Sequence, residues 1–140
     1  MPYCTLADIM GLIPEEELIQ LTDDYSLCAV DQTRIDQAIA DAQAEIDAYA
    51  ASQYPVPFSP VPAIIRKITV DLAGYALQAR RQSELPEGWK ERQKAALKFL
   101  ENLSRGIVTL GPKESAPRSA GGPQVAAPDR VFSRESLSDY

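Results

Sequence analysis

One stretch constrains the fold of this 140-residue chain more than any other: IDQAIADAQAEIDAYAASQYPVPFSPVPAIIRKI, from Ile35 to Ile68. Its first half is an alanine-rich helical pattern. Ile35, Ala38, Ile39, Ala42, Ile46, Tyr49 and Ala50 fall on one stripe sustained for more than four turns. Three of those seven positions are alanine, so another helix can approach the stripe closely. Four prolines then fall within eight residues, Pro55, Pro57, Pro60 and Pro62, where no helix can continue. The apolar helical period resumes at once, with Ile64, Ile65, Ile68, Leu72, Tyr75, Ala76 and Ala79 expected to face inward. Two apolar helices joined by a short, stiff connector must double back on each other. The fold class follows: all-α, a helical bundle built on a long helix, a Pro-rich connector and two further helices, with an extended C-terminal arm.

The helix ends are signalled locally. Thr5 with Asp8 reads as a capping pair for a short helix ending near Gly11, and Pro14 followed by Glu15, Glu16 and Glu17 opens a second. Asp31 is the expected N-cap of the main helix, which the pattern carries to about Gln53. The next helix is expected from Pro62 to about Gln82, closed by Arg80 and Arg81 against its dipole. Gly74 inside it costs about 1 kcal/mol relative to alanine, and a close helix contact is the expected compensation. Leu85-Pro-Glu-Gly88 breaks the chain. A final helix, Trp89 to about Arg105, presents Trp89, Gln93, Ala96, Leu97, Leu100 and Leu103 inward and stops at Gly106. The connector itself is expected to be extended and polyproline-like, anchored by Tyr54, Val56 and Phe58. Its Pro57-Phe-Ser-Pro60 run matches PxxP formally but lies between core helices, so a connector role outweighs that of a docking ligand.

Three regions result. Residues 1–110 form the helical domain. Residues 111–128 are a linker rich in Pro, Gly and Ser with no helical or strand period. Residues 129–140 regain apolar character in VFSRESLSDY, the pattern of a segment that orders on a partner. Phe132, Arg134, Leu137 and Tyr140 are its expected partner-binding residues: apolar anchors and one charge.

Composition narrows the chemistry. The chain has no histidine, the commonest general base and metal ligand. Cys4 and Cys28 stand far apart, without a CxxC pair, and read as reduced, buried thiols. The three consecutive glutamates splay around a helix and cannot converge on a metal unaided. With no nucleophile–base pair, phosphate-binding loop or metal spacing, no catalytic or metal site and no cofactor are expected. The N-terminus carries no basic leader and no apolar run nears the length of a bilayer span, so a soluble protein acting where it is made is expected.

The net charge of −6 is unevenly spread. Residues 1–60 carry 11 acids and one base, and residues 61–110 carry 5 acids and 9 bases. Such a split suits head-to-tail association, with Asp41 and Asp47 of one copy meeting Arg80 and Arg81 of the next; solvated helix faces would look the same.

Several segments resemble a known family. YCTLADIMGLIPEEELIQLTDD, the run IDQAIADAQAEIDAYAASQYPVPF continuing into IIRKITVDLAGYAL, and VFSRESLSDY resemble the small virion neck proteins of Mu-like prophages, which are similar to the head–tail connectors (adaptors) of long-tailed phages. The resemblance spans nearly the whole chain except the linker. It implies a structural, non-enzymatic subunit of the virion neck, assembled in the host cytoplasm. It further implies a homo-oligomeric ring, about twelve-fold, beneath the portal. The C-terminal arm would reach the portal protein, and the opposite surface would receive the next neck, stopper or tail-completion protein. DNA would pass through an acidic lumen that repels phosphate, without specific binding, and no membrane is involved. The competing expectation is a DNA-binding or DNA-packaging accessory protein using the basic 61–110 half, with Arg66, Lys67, Arg80, Arg81, Lys90, Arg92, Lys94 and Lys98 as its face. The acidic total and the lack of a clear recognition helix weigh against it.

Overall fold

The computed structural model describes residues 1–81 and 83–111. Among them the chain forms helices α1 (Leu6–Met10), α2 (Glu15–Thr22), α3 (Gln32–Ala50), α4 (Ala63–Arg81) and α5 (Glu87–Ser104), with no strand. The caps are where the sequence puts them. Thr5 donates its backbone N–H to Asp8 Oδ2 at 2.8 Å. Asp31 accepts from the backbone N–H groups of Thr33 and Arg34 at 3.0 and 3.4 Å, filling two of the donors that a helix start leaves open. Gly106, at φ 73°, takes the left-handed conformation just past α5 that glycine tolerates best.

α3, α4 and α5 run up, down and up, and α4 is the central element, packing against α3, α5, α2 and α1. The α3 stripe is buried as expected: Ile35, Ala38, Ile39, Ala42, Ile46 and Ala50 all lie in the core, with Tyr49 packed at its edge. Two boundaries shift. α3 ends at Ala50 and passes into a turn, where Gln53 and Tyr54 both donate backbone N–H to the Ala50 carbonyl at 2.9 Å. α5 begins two residues before Trp89.

The inward face of α4 departs from the periodic expectation. Ile65, Ile68 and Leu72 are buried, but Ile64, Ala76 and Ala79 are exposed and Tyr75 is only half-buried. Asp71, Leu72, Ala73 and Gly74 are buried at four successive positions, followed by Leu77 and Gln78. A helix that packs against four others has no single inward stripe. Leu97 likewise lies half-buried against the core rather than within it.

The proline segment is bent rather than rod-like, with cis peptides before Pro57 and Pro60. Tyr54, Val56 and Phe58 are half-buried against the core, so the packing of alternating apolar side chains, not extension, sets its path.

Gly74 meets the close contact that its presence implied. A Cβ built there would stand 2.6 Å from Cζ3 and 2.7 Å from Cη2 of Trp89. We expect Gly74→Ala to lower stability by about 1–3 kcal/mol, because overpacking outweighs alanine's helix propensity of about 1 kcal/mol. Trp89 is the only tryptophan, so its fluorescence during urea unfolding reports on the contact directly. A more stable Gly74→Ala protein with unchanged emission would refute the steric reading.

Candidate interaction surfaces

Arg80 and Arg81 end α4, where they were expected to reach a neighbouring subunit. Within the chain they already have partners. Arg80 binds Asp24 Oδ2 at 2.5 Å and the Leu21 carbonyl at 3.0 Å; Arg81 binds Asp24 Oδ1 at 2.5 Å and the Asp23 carbonyl at 2.8 Å. Arg34, from the first turn of α3, reaches the same carboxylate at 3.2 Å. Three guanidiniums thus tie the α2–α3 loop to two helices. The loop is also closed from within. Asp23 accepts backbone N–H groups from Tyr25, Leu27 and Cys28 at 3.1, 3.0 and 2.8 Å, and Ser26 and Cys28 take left-handed φ values of 59° and 54°. Hydrogen bonds from Arg80 and Arg81 hold the Asp24 carboxyl down at about 2, and backbone N–H groups, first that of Leu27, lower Asp23.

A carboxyl with a depressed folded-state pKa contributes stability that is present above its unfolded pKa, near 4, and is lost as pH falls toward the folded value. The melting temperature of Asp24→Asn should therefore lie below that of the wild type at pH 6, with the gap closing between about pH 4 and pH 2. A gap independent of pH would show that the arginines do not act through the charge of Asp24.

Asp47 is likewise occupied. It is half-buried and accepts from the phenol of Tyr3, whose oxygen in turn accepts the backbone N–H of Phe58 at 2.9 Å. The rings of Tyr3 and Phe58 lie 5.8 Å apart, and Tyr54 follows at 6.1 Å from Phe58. At the far side of the connector, Tyr54 Oη accepts the backbone N–H of Leu110 at 3.0 Å. The connector therefore pins both the first residues and the exit of the chain toward its C-terminal region. Of the four expected interface residues, Arg80, Arg81 and Asp41 are exposed, and of these Asp41 alone has no charged partner, bonding only to the neutral amide of Gln37 at 2.8 Å.

The basic half is largely spent within the subunit. Asp71, a carboxylate with a side chain 5% exposed, takes Lys67 at 2.9 Å and Arg92 at 3.1 Å, and Arg92 also lies 5.8 Å over the Trp89 ring. Lys90 pairs with Glu87 and Arg105 with Glu101. Of the eight cations expected on a DNA-binding face, Arg66, Lys94 and Lys98 are those with no ion pair among the described residues.

The cysteines differ. Cys4 is buried, and burial first, then the nearby Asp8 charge, pushes its thiol up to about 11, which disfavours the reactive thiolate. Cys28 is exposed, contrary to the expectation of a buried pair, because the loop locked by Asp23 turns it to solvent. On the same loop Tyr25 and Leu27 are each 73% exposed. Little in the sequence pointed to this apolar pair; the one signal was the aperiodic Asp-Asp-Tyr-Ser-Leu-Cys run between two helices. Among the glutamates of α2, Glu17 turns inward and accepts from buried Gln78 at 2.5 Å, while Glu15 and Glu16 stay exposed. Phe132, Arg134, Leu137 and Tyr140 lie outside the described residues. No helix among the described residues is long and apolar enough to cross a membrane.

Residues 3–127 match the protein family described as Bacteriophage Mu, Gp36. The chain is also 24% identical over 127 residues to the Mu-like prophage FluMu protein gp36 of Haemophilus influenzae, covering 89% of this chain and 86% of that protein.

Proposed function

The chain belongs to the bacteriophage Mu Gp36 family, and from that premise we propose that it is a structural component of the virion neck, a head–tail connector (adaptor) subunit that assembles as a ring between portal and tail. What supports this reading best is a braced helical body followed, in the sequence, by a long segment that ends in apolar anchors. The three long helices form one cross-braced unit, and the Tyr54–Leu110 bond ties the chain to it as far as Leu110. From Pro112 to Ser136 the chain can span on the order of 80 Å if extended, enough to pass beyond a neighbouring subunit. Its last residues, 129–140, supply Phe132, Leu137 and Tyr140 as apolar anchors and Arg134 as a charge, the residue types that dominate small interfaces. In this reading the arm engages the portal, the opposite face receives the next neck protein, and DNA passes without being held.

Deletion of residues 129–140 tests it. The truncated protein should keep the helicity and melting temperature of the full chain and lose attachment to portal-bearing, tail-less heads, read by co-sedimentation. Attachment at the wild-type level would refute the arm's role. A salt-dependent shift of duplex DNA by the full chain would favour the DNA-binding alternative, whose phosphate contacts weaken linearly in log salt.

A further inference from the structure

Arg80, Arg81 and Asp47 already have partners within the chain, which draws attention to the charges that do not. On α3, Asp41 and Glu45 are exposed, one turn apart, with no ion pair among the described residues. Ala40, Ala44 and Ala48 are exposed on the same helix at the same spacing, so the ground between and beside the acids is flat. On α5, Lys94 and Lys98 are exposed, one turn apart, equally without an ion pair, and Ala95 lies between them. Glu91, the nearby acid that is also unpaired, lies a turn closer to the helix start.

The heights of these pairs match. The C-terminal ends of α3 and α5 touch, with Ser52 and Gln53 both donating to the Ser104 carbonyl, at 3.1 and 3.3 Å. Both helices run opposite to α4 and hence in the same direction. Asp41 and Glu45 lie eleven and seven residues before Ser52; Lys94 and Lys98 lie ten and six before Ser104. Counted along the two helices from that contact, the pairs lie at similar levels. A rotation about an axis parallel to the helices keeps every residue at its own level. Such a rotation can therefore carry the acidic pair of one copy alongside the basic pair of the next, in register, through a head-to-tail contact that closes into a ring.

We propose that the α3 face bearing Asp41 and Glu45 docks on the α5 face bearing Lys94 and Lys98 of a second copy of this chain. The occupant is set by charge complementarity within one sequence: an uncompensated acidic pair and an uncompensated basic pair at one height. This rests on the ring reading above and names its contact.

Charge exchange tests it. Asp41→Lys with Glu45→Lys makes both faces basic; Lys94→Glu with Lys98→Glu makes both acidic. Each double variant, with circular dichroism like the wild type, should need at least ten times the protein concentration to self-associate, read by light scattering and sedimentation velocity at low salt. An equimolar mixture of the two should recover wild-type assembly, as should the chain carrying all four changes, because opposite faces are then restored. If a reversal disturbs folding, Asp41→Asn with Glu45→Gln replaces it and should weaken assembly in the same direction. Double variants that assemble like the wild type, or a mixture that stays dissociated, would overturn the proposed contact while leaving a ring with some other interface. A wild-type protein that is monomeric both alone and on portal-bearing heads would overturn the contact and the ring together.

Discussion

Replacing Ile46 with alanine is expected to remove about 2–5 kcal/mol of stability, the largest loss from any single truncation considered. Ile46 is fully buried on α3, the helix that packs against both α4 and α5. The site has little room to collapse. Its neighbours along the stripe, Ala42 and Ala50, are already small, so they cannot swing in to fill the space. The loss therefore includes both the transfer of the missing carbons and the cavity they leave. For a domain whose net stability is about 5–15 kcal/mol, this is a large share, and the melting temperature should fall by more than about 10 °C. Urea unfolding of Ile46→Ala beside wild type measures it. A change below about 1 kcal/mol would mean that α3 is not seated in the core as described.

Tyr3→Phe should have the next largest effect, about 2–4 kcal/mol, although it removes a single oxygen. That oxygen donates to Asp47 and accepts the Phe58 backbone N–H, so its loss leaves a half-buried carboxylate and a backbone donor without their partner. The substitution also carries a pH signature. Burial first, and the hydrogen bond to Asp47 second, push the Tyr3 phenol up to about 12. A raised folded-state pKa means that this contribution is fully present below the ordinary phenol value, near 10. It is lost as pH rises from about 10 through about 12. Wild type should lose stability over that window more steeply than Tyr3→Phe, so the difference between the two proteins should shrink at alkaline pH. Parallel pH profiles would place the phenol's role in packing alone.

The parts of this fold that are legible in the sequence are those decided over a few residues. Asp31 caps α3 because its carboxylate reaches the amides two and three positions on, wherever the helix ends up. The stripe from Ile35 to Ala50 is readable because α3 buries one face, and a single buried face has the period of the helix. Gly74 announced a close contact, though not that Trp89 would make it. Pro62 before α4 and Gly106 beyond α5 mark helix ends through backbone restrictions of their own, whereas Pro86, read as part of a chain break, in fact opens α5.

What the sequence left open depends on which distant residues meet. Asp71 reads as a surface acid until α5 packs against α4, when it becomes a buried carboxylate held by Lys67 and Arg92. Arg80 and Arg81 lie more than 50 residues from Asp24, and Tyr3 lies 44 from Asp47 and 55 from Phe58. Charge totals cannot distinguish a cation free for a neighbour from one already committed within its own chain. Only the packed structure spends Arg80, Arg81 and Asp47 internally and leaves Asp41, Glu45, Lys94 and Lys98 outward, because an ion pair is fixed by proximity in space and not by position along the chain.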